Sequence, residues 1–204
     1  MLPSVLLVLF GLTAAAYLFS MPRTPYKGDF ALKALPVLCL AAYVALAGQG
    51  FAAALVVVGL LFSAGGDVAL ALDRRKYFVV GLSLFLVAHL FYIAAFVTGI
   101  EVVRFNLWMG LILLFSLGVG AWLFPVLGKL RGPVLVYMVV ISTMGIAAAL
   151  HPAAFPFLLP GALLFILSDS LIAIDKFRRP VPYAHTLIMI TYYLGQLGIA
   201  LGWG

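Results

Sequence analysis

The sequence predicts an all-α membrane protein, a bundle of eight transmembrane helices, and its composition is the first reason. Hydrophobic residues make up 66% of the 204 residues and charged residues only 9%, whereas soluble domains carry about 25% charged residues. The second reason is the length of the apolar runs, which suffices to cross a hydrocarbon layer of ~30 Å. The third is the shortness of the segments between them. We therefore expect one transmembrane domain over residues 1–204 with no extramembrane domain.

Eight apolar runs fill nearly the whole chain, and residues that commonly start or stop helices separate them. These breakers are Pro22 and Pro25, Gly48-Gln49-Gly50, His151-Pro152, and Pro180 with Pro182. The predicted spans are 2–20, 32–49, 51–72, 77–98, 107–126, 133–150, 155–174 and 183–203. We expect the first to be a membrane helix rather than a cleaved signal peptide, because a signal needs a positively charged start and no basic residue precedes Arg23.

Basic residues are concentrated in alternate loops, and this sets the predicted orientation. The first, third, fifth and seventh loops hold eleven of the twelve Lys and Arg residues when Lys33, at the far edge of the first loop, is included. The even-numbered loops hold only Arg104. The positive-inside rule assigns the basic loops to the cytoplasm, so both termini are expected outside. The Ala-, Leu- and Gly-rich composition is typical of a bacterial inner-membrane protein. Because the net charge of +6 is spread over short loops, no contiguous basic face is expected to bind nucleic acid.

Two Asp-x5-Asp pairs stand in otherwise apolar sequence. Asp67 precedes Asp73, Asp169 precedes Asp175, and a basic cluster follows each pair. Asp73 and Asp175 are therefore predicted at the water interface, and the inner aspartates roughly 9 Å deeper at 1.5 Å per helical residue. An ionisable residue within a membrane helix is a functional-site hypothesis by default. Asp67 and Asp169 are thus the predicted catalytic residues, in the cytoplasmic half of the membrane.

The inner aspartates belong to a longer internal similarity. Tyr92 lies 25 positions after Asp67, and Tyr193 lies 24 positions after Asp169. The spans concerned are four helices apart, so the two copies have the same orientation, which predicts a parallel four-plus-four repeat. Its halves are approximately 1–103 and 104–204. Since such repeats usually place a site at their interface, we expect the two aspartates to face each other across a central cavity.

Other polar residues recur at helical spacing in the neighbouring spans and are candidates to bind or orient a substrate. His89 and Tyr92 are three residues apart and share a helix face. A membrane His or Gln often only hydrogen-bonds a neighbouring helix, and Lys33 has two simpler interpretations, snorkelling or a buried ion pair with an aspartate. The complete candidate set beside the aspartates is Lys33, His89, Tyr92, Ser168, Tyr192, Tyr193 and Gln196. No metal-ligand cluster is present in the sequence, and neither a metal nor another cofactor is expected.

Five short motifs keep a fixed order along the chain: Lys33-Ala34-Leu35-Pro36, Ser63-Ala64-Gly65-Gly66-Asp67, His89-Leu90-Phe91-Tyr92, Ser168-Asp169 and Tyr192-Tyr193-x-x-Gln196. Together they resemble the YhhN family of eight-helix membrane proteins, which includes the animal lysoplasmalogenases. The resemblance runs over essentially the whole chain. It implies an ether hydrolase that cleaves the vinyl ether bond of lysoplasmalogen, a lysophospholipid, to a fatty aldehyde and a glycerophospho-alcohol.

The two aspartates suit that reaction, because a vinyl ether is hydrolysed when an acid protonates its outer alkene carbon. Water captures the resulting oxocarbenium ion, and the hemiacetal collapses to aldehyde and alcohol. One carboxylic acid would donate the proton and a second carboxylate would stabilise the cation or activate water, as in glycosidases. The sequence leaves open which aspartate donates. His89 or a tyrosine would orient the water, and Lys33 would hold the lipid phosphate.

The sequence is also compatible with two other functions. A proton-coupled transporter would use Asp67 and Asp169 as a proton relay. A non-catalytic lipid-binding protein would keep the aspartates for structural reasons alone.

Overall fold

The chain folds into eight long helices in the computed structural model, which describes residues 2–72 and 76–204 and shows no strand among them. The helices are α1 Leu2–Ser20, α2 Asp29–Ala47, α3 Gly50–Leu72, α4 Phe78–Val97, α5 Leu107–Leu123, α6 Arg131–Leu150, α7 Leu159–Ala173 and α8 Ala184–Leu201. Within the described ranges, eight helices, counted with the short turns that extend some of them, are long and apolar enough to cross a membrane. The predicted fold class is therefore confirmed. Asp73, Arg74 and Arg75 lie outside the described residues.

The starts of α2 and α5 are determined by the residue that precedes each helix. Gly28 adopts a left-handed conformation (φ 93°) that places Asp29 in the first turn of α2, where a carboxylate favours the positive end of the helix dipole. Lys33 therefore lies in the second turn of α2, whereas the sequence placed it at the start of the span. At α5, Asn106 Oδ1 accepts a hydrogen bond from the Met109 N–H at 3.1 Å, a standard N-cap.

Irregular turns flank α7. Phe155 is extended (φ −112°, ψ 151°), so regular helix begins only at Leu159 rather than near residue 155 as the sequence predicted. Beyond Ala173 the chain continues in a wider helical turn, in which the Arg179 N–H donates to the Ile174 carbonyl at 3.1 Å. Such i→i+5 turns are rare and occur mostly as single turns.

The helices form two compact units, which are described separately. The first unit runs to Ala95 and includes Ala200–Gly204, and the second is Phe96–Ile199. The first unit thus contains α1 to α3 and most of α4, and the second contains α5 to α7 and most of α8. The internal repeat stays a prediction.

In the first unit, α2 packs against α1 and α3, and glycines on α3 bring α4 close. A Cβ on Gly59 would overlap the ring of Tyr92, and a Cβ on Gly66 would lie 2.6 Å from the Phe85 ring. Small residues commonly allow membrane helices to approach in this way. The two glycines flank Ser63, so they bring the aromatic side chains of α4 to the part of α3 that precedes Asp67.

In the second unit, α7 and α8 meet through backbone. A Cβ on Gly161 would lie 2.7 Å from the Ile199 nitrogen and 2.8 Å from the Gly195 carbonyl oxygen. A Cβ on Gly198 would lie 2.7 Å from the Gly161 Cα. The close approach therefore requires glycine on both helices, and it fixes the position of α8 beside the segment of α7 that leads to Asp169.

Candidate functional site

Asp67 of the first unit forms an ion pair with Lys33. The Lys33 Nζ lies 3.5 Å from Asp67 Oδ1, and the two residues are 7% and 1% exposed. A buried ion pair often stabilises a fold no better than apolar residues of the same volume, because both charges lose their hydration. The ion pair that the sequence raised as a structural alternative is therefore formed. Because the ion pair is expected to add little to the stability of the fold, a functional role explains better than a structural one why Asp67 is buried.

Three further polar side chains of the first unit are fully buried on α3 and α4. Ser63 lies one turn before Asp67, and its Oγ is 3.4 Å from Tyr92 Oη. The His89 ring meets the Tyr92 ring edge-on, with centroids 6.4 Å apart. The contact agrees with the predicted shared face of His89 and Tyr92. The first unit therefore brings together an ammonium, a carboxylate, a hydroxyl, a phenol and an imidazole within the membrane-spanning segments.

Asp169 of the second unit is held by a residue that the sequence did not single out. The Tyr137 hydroxyl on α6 donates a hydrogen bond to Asp169 Oδ2 on α7. Tyr137 is buried and Asp169 is half-buried. One signal in the sequence could have found Tyr137: it precedes Asp169 by 32 positions on the preceding helix, and Lys33 precedes Asp67 by 34 positions on the preceding helix. In each unit, therefore, the helix before the aspartate supplies a partner for its carboxyl group.

The other candidates of the second unit lie where α7 packs on α8. Ser168 Oγ donates to the Ile188 carbonyl at 3.1 Å, so its described bond joins the helices rather than reaching its neighbour Asp169. The Tyr192 ring lies 5.4 Å from the Phe165 ring and 5.4 Å from the Tyr193 ring. Gln196 is fully buried on the same helix. These residues are thus close to one another, and their described contacts are mostly packing contacts.

The two clusters offer groups that move protons and stabilise charge. No group of three or more His, Cys, Asp or Glu residues suited to hold a metal ion occurs in the part of the chain that the structure describes. The carboxyl group of each aspartate already has a hydrogen-bonding or ionic partner, so its orientation is fixed in advance. Fixed orientation of acid–base groups is what proton transfer to a bound substrate requires.

Comparisons with known proteins give a consistent result. The sequence profile of the YhhN family matches residues 28–203. Lysoplasmalogenase TMEM86A of Bos taurus is 40% identical over 185 residues, which cover 83% of this chain and 75% of the relative. TMEM86A of Homo sapiens is 39% identical with the same coverage, and lysoplasmalogenase TMEM86B of Homo sapiens is 38% identical over 83% of this chain and 73% of the relative. No solved structure matches the chain. The region matched by the profile contains every candidate residue from Lys33 to Gln196.

Proposed function

Because this chain belongs to the YhhN family and is a lysoplasmalogenase-like membrane hydrolase, we propose that it cleaves the vinyl ether bond of lysoplasmalogen. The products are a fatty aldehyde and a glycerophospho-alcohol. One observation carries the proposal: each of two aspartates within the membrane-spanning segments is held by a partner on the preceding helix, Asp67 by Lys33 and Asp169 by Tyr137.

The reaction begins with transfer of a proton from a carboxylic acid to the outer alkene carbon of the vinyl ether. A C–H bond forms, the acid becomes a carboxylate, and the ether carbon becomes an oxocarbenium ion. A water oxygen then adds to this carbon while the water gives a proton to a carboxylate. The hemiacetal finally breaks its C–O bond to the glycerol oxygen, which takes up the hemiacetal hydroxyl proton. The carboxylate that took a proton from water releases it to solvent, and the first carboxylate takes up a proton, which regenerates the acid. Paired carboxyl groups catalyse the related hydrolysis of glycosides in the same two roles.

The partners of the two aspartates divide these roles. Asp67 pairs with the Lys33 ammonium and is therefore the carboxylate that stabilises the cation and accepts the proton from water. Asp169 is the acid, and its Oδ2 accepts the Tyr137 O–H, so its other oxygen carries the proton that the alkene receives. Lys33 orients Asp67 in this arrangement, and His89 and Tyr92 orient the attacking water.

Replacement of each aspartate by asparagine tests the proposal. Asp67→Asn and Asp169→Asn should each lower kcat by ~10² or more, the usual scale for loss of general acid–base catalysis. The double variant should be little slower than either single variant, because residues that act as a unit are strongly non-additive. The assay measures aldehyde release from lysoplasmalogen in detergent, and gel filtration confirms that each variant is folded.

Asp175→Asn is the matched control, since it makes the same change six residues after Asp169, where the Asp175 carboxylate accepts the Val181 N–H. It should keep the wild-type rate.

Lys33→Ala in the same panel should lower kcat with little change in KM; a raised KM with unchanged kcat would instead assign Lys33 to the substrate phosphate. Folded aspartate variants with near-normal rates would overturn the carboxyl mechanism. A wild-type protein that releases no aldehyde but moves protons in sealed vesicles would favour transport.

A further inference from the structure

A cavity of about 210 Å³ opens between α5 and α7 in the second unit. It is lined by Trp108, Leu111 and Phe115 of α5 and by Leu163 and Leu167 of α7, and the buried side chains of Ile112 and Ile166 form its floor. Gly145 of α6 keeps the floor low, because a Cβ at this position would lie 2.6 Å from Ile166 Cδ1 and 3.4 Å from Ile112 Cδ1. The cavity is thus a feature of how three helices pack, and a glycine maintains its depth.

Hydrocarbon is the chemistry that fits this cavity. A buried water needs two to four polar partners, and the cavity walls are apolar side chains. The cavity lies within two candidate membrane spans, Leu107–Val126 and Ala154–Arg178. Leu111 and Leu167 at its rim are 43% and 40% exposed, so a chain can enter sideways from the bilayer. A methylene group occupies about as much space as a water molecule, whose share of liquid volume is ~30 Å³, so the cavity has room for several methylenes.

The position of the cavity along α7 indicates which hydrocarbon chain it takes. Ile166 lies one turn before Asp169, roughly 4.5 Å along the helix axis, and the exposed cations Lys176 and Arg178 follow Asp169. The Arg178 guanidinium lies 5.4 Å from the Trp122 ring, which keeps it beside α5. Hydrocarbon cavity, carboxyl group and cations therefore follow one another in that order along α7. A single-chain ether lysolipid has the same order of hydrocarbon chain, vinyl ether and phosphate.

We infer that the cavity between α5 and α7 is the subsite for the hydrocarbon chain of the lysolipid substrate and sets the preferred chain length. The inference rests on the proposed function, and it adds a specificity site that lies outside the two aspartate clusters. A bound chain lies with its ether end at Asp169 and its next methylenes between Leu167 and Phe115. The phosphate then points toward the cations at the end of α7.

Narrowing of the cavity tests the inference. Leu111→Trp fills the space from the α5 wall, and Leu114→Trp places the same side chain three residues later on the lipid-exposed face of α5. Leu111→Trp should lower the ratio of kcat/KM for long-chain over short-chain lysoplasmalogen at least tenfold, because two or more methylenes lose their apolar surroundings. Leu114→Trp should leave that ratio unchanged. Leu163→Phe, a smaller change on the α7 wall, should lower the ratio in the same direction and serves if Leu111→Trp does not fold.

A binding measurement separates this inference from the proposed function. Saturated 1-alkyl ether lysolipids of long and short chain lack the vinyl group, so their binding is independent of turnover. Weakened long-chain binding by Leu111→Trp but not by Leu114→Trp would support the subsite even if the protein released no aldehyde from lysoplasmalogen. Active, folded variants that all keep the wild-type chain-length preference and affinity would overturn the subsite and leave the proposed function intact.

Discussion

The hydroxyl group of Tyr137 fixes one oxygen of the Asp169 carboxyl group, and a change of one atom measures its contribution. Tyr137→Phe removes the donor to Asp169 Oδ2 and keeps the ring in its buried position on α6. A hydrogen bond to a carboxyl group in an acid–base site positions it for proton transfer, so kcat should fall about tenfold or more while KM changes little. The steady-state kinetics of aldehyde release give both constants.

The control for Tyr137 is Tyr26→Phe, which removes a phenol contact of the same kind, to Ser20 Oγ at 2.8 Å. It should leave kcat unchanged. If Tyr137→Phe also has the wild-type kcat in folded protein, the hydroxyl only packs α6 against α7 and has no part in the reaction. If KM rises instead of kcat falling, Tyr137 contacts the substrate rather than positioning the acid.

Whether the sequence identifies a site residue depends on how rare that residue type is within membrane helices. Asp67 and Lys33 stand out because a charge within an apolar span is costly, and the structure pairs them. Tyr137 does not stand out, because tyrosine is common at membrane interfaces and in packing between helices. Its contact with Asp169 depends on the alignment of α6 against α7, which the local sequence does not specify. Ser168 illustrates the opposite case, since its neighbour in sequence is Asp169 but its hydroxyl bonds to the Ile188 carbonyl.

At the scale of the helices, the close contact between α7 and α8 predicts that a larger side chain at the interface lowers stability. Gly161→Val adds a side chain where a Cβ alone would lie 2.7 Å from the Ile199 nitrogen, and backbone on α8 cannot rotate away as a side chain can. Overpacking of this kind typically costs about 1–3 kcal/mol, so the midpoint of thermal unfolding in detergent should fall by several degrees. Tryptophan fluorescence or light scattering follows the transition.

Gly118→Val is the matched control, because it makes the same substitution in α5 at a glycine whose Cβ would meet no atom within 4 Å. It should change the free energy of unfolding by less than about 0.5 kcal/mol, as is usual for open sites. Equal losses in the two variants would contradict the assignment of Gly161 to close helix contact. They would attribute the effect to the helix preference of valine instead.

The eight helices themselves could be predicted from hydrophobic runs, and their ends could be predicted less well. The apolar run before Leu159 looks helical in the sequence, but Phe155 is extended and delays the start of α7. The start of α2 depends on the left-handed Gly28, which a hydropathy pattern does not register. The length of a hydrophobic run indicates whether a segment can cross the bilayer. The residue at which the helix ends depends instead on backbone conformation and on single capping bonds.

At the scale of the whole molecule, the distribution of charge predicts the orientation of the chain in the membrane. An even number of spans puts both termini on one side of the membrane, and the basic residues of the first, third, fifth and seventh loops predict that this side is the outside. Cys39 is the single cysteine of the chain and is buried, so Cys39→Ser gives a background for site-directed labelling. A cysteine introduced at Val102 should react with an impermeant maleimide in intact cells, and one at Lys129 should react only after the membrane is opened.

The predicted orientation also determines from which side of the membrane the substrate would approach Asp169. Lys129 and Arg131 are exposed at the start of α6, and Lys176 and Arg178 follow α7. The positive-inside rule predicts that these helix ends face the cytoplasm. Asp169 is only a few residues from that end of α7, so the substrate phosphate would approach from the cytoplasmic leaflet. A C-terminal reporter that is active only in the cytoplasm should therefore stay silent. A strong reporter signal, with labelling at Lys129 in intact cells, would reverse the orientation and move the aspartates to the outer half of the membrane.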